Sequence, residues 1–90
     1  MRHITDGRLD DLEPLLERLR ALDGLVERTR GVFYRKSRAF LHFHEDGDDV
    51  YADVRLDGPE FDRRRVTSAA AQDRLVAAVA RVLATPSPRG

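Results

Sequence analysis

His42-Phe43-His44 is the segment of this chain whose residue types and spacing could do chemistry. Side chains alternate faces along a β-strand, so two histidines two apart share one face, about 6.5–7 Å apart along the strand. Neutral imidazoles at that spacing can converge on one divalent ion, and Asp53 or Asp49 of the next strand would add a carboxylate oxygen. Imidazole with carboxylate suits zinc, iron or nickel. The turn decides which aspartate joins. A two-residue Asp46-Gly47 turn sets His44 against Asp49 and His42 against Tyr51, whereas a four-residue turn sets His42 against Asp53. The candidate metal set is His42 and His44 with Asp53 in the second register, Asp49 taking its place in the first.

A hydrolytic use of the same residues would make His42 or His44 the general base and Asp53 its orienter. The nucleophile is missing. Ser37 falls in a turn and Ser68 at a helix cap, and there is no Gly-x-Ser-x-Gly elbow. The chain has no cysteine, which removes thiolate catalysis and cysteine-rich metal sites together. We expect no catalytic role and no cofactor. Arg28, Arg30, Arg35, Lys36 and Arg38 interleave with Phe33, Tyr34 and Phe40, the mixture that single-stranded nucleic-acid sites use for phosphate contact and stacking. Zero net charge, and eight acidic residues from Glu45 to Asp62, argue against a nucleic-acid partner.

The elements that must position these residues follow from periodicity. Leu9, Leu12, Leu16 and Leu19, with Leu15 and Leu22 beside them, recur at helical spacing and predict a helix over 10–22. Asp10-x-x-Glu13 resembles a capping box, Pro14 then falls in the first turn, and Asp23-Gly24 ends the helix. A start near Asp6 would instead put Pro14 inside the helix with a kink. Extended runs follow at 32–35, 39–45 and 50–56; 25–29 reads as a further short strand or as loop, and 61–66 as a short charged edge strand or an extended connection. Thr67 or Ser68 caps a second helix whose stripe is Leu75, Val76, Val79, Val82 and Leu83.

Alternation sorts the strands into two faces. Ala39, Leu41 and Phe43 meet Val50, Ala52, Val54 and Leu56 on an apolar face that both helices must cover. The fold class is α+β: an antiparallel meander of three to five strands with two helices packed on one face, in the order α-β-β-β-(β)-α. Residues 1–84 form one domain, and 85–90 read as a disordered tail. The second face would carry Phe33, Phe40, His42, His44, Tyr51, Asp53 and Arg55. Aromatic and arginine side chains are enriched at binding hot spots. The expected function is thus a non-catalytic interaction domain that binds a protein or a second copy of itself through that face. The alternative is a weak metal- or small-ligand-binding domain centred on His42 and His44. No apolar run reaches membrane-spanning length and no secretory signal opens the chain, so we expect a cytoplasmic protein with no membrane partner. Acidic stretches at 6–23 and 45–62 alternate with basic ones at 28–38 and 63–65, a pattern suited to surface ion pairs.

One resemblance bears on the fold. Leu19-Arg20-Ala21-Leu22-Asp23-Gly24-Leu25-Val26-Glu27-Arg28, then Val32-Phe33-Tyr34-Arg35-Lys36-Ser37-Arg38-Ala39-Phe40 and the Glu45-Asp46-Gly47 turn, resemble small uncharacterised actinobacterial proteins. The same segment is loosely similar to MmcQ/YjbR-like domains, which open with a helix and continue into a hairpin meander. The likeness covers residues 10–56 and departs at Asp23, where that family tends to have proline. It implies a helix–sheet–helix fold and supplies no catalytic residues.

Overall fold

The leucine-rich N-terminal segment folds as two short helices rather than one. The computed structural model describes residues 2–84, and in it a two-residue strand β1 (Arg2–His3) precedes α1 (Asp6–Asp11) and α2 (Glu13–Arg20). Leu12 lies between the helices at φ −93°, ψ 3°. Proline removes one helical N–H, and its ring crowds the carbonyl four residues back. Pro14 therefore forces a break near Asp10–Leu12 and serves in the first turn of α2. The expected helix 10–22 is thus corrected to an earlier start and an interruption. Thr5 caps α1, its side chain accepting from the Arg8 N–H. Asp10 and Glu13 form no capping box; both pair with Arg30 instead.

Five further strands follow: β2 (Val26–Thr29), β3 (Val32–Arg35), β4 (Arg38–Asp46), β5 (Asp49–Val54) and β6 (Asp62–Arg65). They form an antiparallel meander in the order β2-β3-β4-β5-β6. β1 adds to the same sheet by pairing with the far end of β4, His3 opposite His44. The six-stranded sheet exceeds the expected three to five, and two residues are too few for β1 to leave a hydropathy pattern. α3 (Ala69–Ala84) closes the described chain, with Ser68 Oγ accepting from the Ala71 N–H at 3.1 Å. Residues 85–90, expected as a disordered tail, lie outside the described residues.

Turn chemistry fixes the registers. Gly31, at φ +81°, carries the β2–β3 turn, and a Cβ there would come within 2.9 Å of Leu9 Cδ2. Lys36 and Ser37 join β3 to β4 with φ of +51° and +68°. Left-handed backbone at both central positions suits a tight hairpin, though glycine and asparagine ordinarily fill it. Asp46 pairs with Asp49 across Gly47-Asp48, and this register carries His42 opposite Asp53 and His44 opposite Tyr51.

The core lies between this sheet and the helices. Leu12, Leu16, Leu19, Leu75 and Val79 are buried in one cluster with Leu41, Phe43, Val50, Ala52 and Val54, and Leu83 packs at its margin. Phe33 belongs to this cluster, fully buried, and not to the opposite face where the sequence placed it. It pairs with Leu41, and cross-strand partners share a face; a register shift between Phe33 and Tyr34 breaks the simple alternation. The charge blocks meet as their alternation suggested, Arg30 with Asp10 and Glu13, Arg63 with Asp53, and Arg65 with Asp49. Among the described residues, no helix is long and apolar enough to cross a membrane.

Candidate metal centre

The side of β4 and β5 that faces away from the core carries His42, His44 and Asp53. His42 and Asp53 are direct cross-strand partners, and His44 stands two residues along, within diagonal reach. His44 Nε2 comes to 3.1 Å from Asp53 Oδ2, and His42 Nε2 to 3.5 Å from the same oxygen. The two imidazoles meet edge to face with centroids 4.9 Å apart. One ligand atom from each of the three residues can be chosen so that all lie within 4.8 Å of one another. Zinc–ligand bonds of 2.0–2.1 Å in a tetrahedron separate neighbouring ligand atoms by about 3.3 Å. The two histidine–aspartate separations bracket that value.

Arg63 on β6, directly opposite Asp53, supplies the countercharge. Its Nε donates to Asp53 Oδ1 at 2.8 Å and its Nη2 to Oδ2 at 2.9 Å, a two-pronged clamp on a buried carboxylate. These bonds hold the Asp53 carboxyl below its usual range against the opposing effect of burial. Burial, helped by the neighbouring His44, holds the His42 imidazole below its own usual range, while Asp53 pulls the other way. Near neutral pH the site therefore holds an ionised carboxylate and a neutral His42, the protonation states a metal requires. A carboxylate oxygen has two lone pairs. Oδ2 can thus accept from Arg63 and still offer an electron pair, although the guanidinium sets a positive charge beside any cation bound there.

Three residues around the cluster were missed in the sequence. His3 stacks beside His44 with centroids 5.5 Å apart, and Phe61 packs edge-on against His42 at 5.0 Å. Arg63 is the third. Its partnership with Asp53 depends on the register across the β5–β6 connection, which the Asp57-Gly58-Pro59 turn does not set by itself. Asp49, the other aspartate weighed as a ligand, is engaged elsewhere, accepting from Arg65 at 2.8 Å and from the Thr67 hydroxyl at 3.1 Å.

The remaining members of the proposed face are dispersed. Tyr51 is half-buried opposite His44. Phe40, expected on the open face, is buried in the same core cluster as Phe33 at 3% exposure, and its carbonyl accepts from the Arg55 N–H at 3.0 Å. Arg55 itself lies over the Phe61 ring at 4.3 Å. Two of the aromatic side chains counted on for an exposed hot spot, Phe33 and Phe40, are thus out of solvent. Comparison with known proteins brings nothing to this geometry: no family model, curated protein or solved structure matches the chain.

Proposed function

We propose that this domain binds a transition-metal ion of the zinc class through His42 Nε2, His44 Nε2 and Asp53 Oδ2. The observation that carries the reading is the convergence of two imidazoles and one carboxylate within 4.8 Å. Three protein ligands leave at least one tetrahedral position to water, and the displaceable Arg63 opposes the ion. Affinity is therefore micromolar or weaker, suited to reversible loading rather than to a structural metal. The reading is of a metal-binding domain.

Titration of zinc against a competing chromogenic chelator tests this. One equivalent should bind per chain, and His42→Gln or His44→Gln should each weaken binding by at least about tenfold, since even residues behind the ligands commonly cost that much. Equal affinity in wild type and the double variant would refute it.

Association with a protein or a second copy is a second reading, and one observation favours it at an edge rather than at the face. Val26, on the edge strand β2, is 59% exposed. An edge strand offers unpaired backbone to another chain. Sedimentation of wild type and Val26→Lys separates the two cases, since a β2-mediated dimer dissociates in the variant.

A further inference from the structure

Away from the histidines, a recess of about 170 Å³ opens over Phe40, bounded by Arg35, Lys36, Arg38, Arg55 and Gly58. That is room for several waters or one small polyatomic group. Four of its lining residues are cationic and none is acidic, in a chain whose net charge is zero. The ion pairs of the described residues engage Arg8, Arg18, Arg20, Arg30, Arg63 and Arg65, and none of the arginines of this recess. Arg55 lines the recess with its guanidinium over the Phe61 ring, and its Nε has no hydrogen-bond acceptor. The β3–β4 hairpin, which carries Lys36, forms one rim of the recess.

We propose that this recess is an anion site for a small ligand bearing a phosphoryl or pyrophosphoryl group. A carboxylate is satisfied by one guanidinium fork, whereas a multiply charged phosphoryl group has the oxygens and the charge to use several. Phe40 closes the floor with an apolar surface that excludes water and strengthens those contacts. The site shares no residue with the histidine cluster, and it stands or falls independently of metal binding.

The test follows backbone amide NMR signals of Ala39, Phe40 and Gly58 during titration with inorganic pyrophosphate, with acetate at matched ionic strength as the second arm. Pyrophosphate should shift these signals saturably, and acetate should not. Arg38→Gln, an exposed position whose loss spares the core, should weaken pyrophosphate binding about tenfold, equivalent to about 1.4 kcal/mol. Arg55→Gln should do the same, with the His42 and Phe61 signals reporting whether the β5–β6 connection has kept its place. Non-saturable shifts, or shifts as large with acetate, would overturn the assignment. So would unchanged affinity in Arg38→Gln with its fold intact. A short single-stranded oligonucleotide that binds more tightly than pyrophosphate and displaces it would overturn the small-ligand form and reassign the recess to nucleic acid.

Discussion

Replacing Arg63 with glutamine should move apo stability and metal affinity in opposite directions. In the apo chain Arg63 donates two charge-assisted hydrogen bonds to Asp53, at 2.8 and 2.9 Å. A hydrogen bond to a charged group contributes about 1.5–3 kcal/mol. The Arg63 side chain is 50% exposed, so water and salt discount the clamp as a whole to about 1–2 kcal/mol. An ion on Asp53 Oδ2 would lie about 4 Å from the guanidinium. At an effective dielectric constant near 20, a charge of +2 against +1 at that distance repels by about 8 kcal/mol. Repulsion exceeds the worth of the clamp, so a binding ion drives Arg63 into solvent and forfeits only the smaller sum. Arg63→Gln removes that cost beforehand. Zinc affinity should rise about 5- to 30-fold, because about 1.4 kcal/mol is a factor of ten, while urea unfolding of the apo protein shows about 1–2 kcal/mol lost. The assays are chelator competition for zinc and urea denaturation of metal-free protein. Affinity that falls or stays level in Arg63→Gln would refute the reasoning, because the ion would then not be using Asp53.

Other perturbations probe the scaffold. Leu16→Ala and Phe43→Ala, at sites no more than 2% exposed, should each cost about 2–5 kcal/mol in urea unfolding. Apo stability should fall on acidification in two windows. His42 ionises below its ordinary 6.5 in the folded chain, so between the two values the unfolded state binds more protons and stability rises with pH. Asp53, held below 3.8, repeats that sign in the acid range. Unfolding measured across pH should lose the upper window in His42→Gln and keep the lower one. The double change Lys36→Asn and Ser37→Gly should stabilise the fold by about 1–2 kcal/mol, since left-handed backbone costs about that much per ordinary residue. It should also weaken pyrophosphate binding through the loss of Lys36.

Much of the fold is written in local pattern, and the site only in part. Leucines at helical spacing and alternation along 39–45 and 50–54 name much of the core, Phe33 and Phe40 excepted. The face shared by His42 and His44 follows from the same alternation. The placement of the hairpin loop decides between Asp49 and Asp53: two residues turn the chain at Gly47-Asp48, one position later than Asp46-Gly47, and this gives the Asp53 register without the expected four-residue turn. Phe33 was misplaced because a bulge is a property of two strands together, invisible in one. His3 and Arg63 reach the cluster through pairings of a two-residue strand and of a charged edge strand. In both, hydrophobic alternation, the signal that fixes register elsewhere, is absent. The effect of Pro14 depends on where the helix begins, and the chain begins it at Thr5, five residues before Asp10.

The most direct test of metal binding is two-dimensional NMR of the histidine ring nitrogens during zinc titration at neutral pH. The Nε2 resonances of His42 and His44 should move together and saturate at one equivalent, and Asp53→Asn should weaken the transition. Ring signals of His42 and His44 that stay unmoved at millimolar zinc would contradict metal binding.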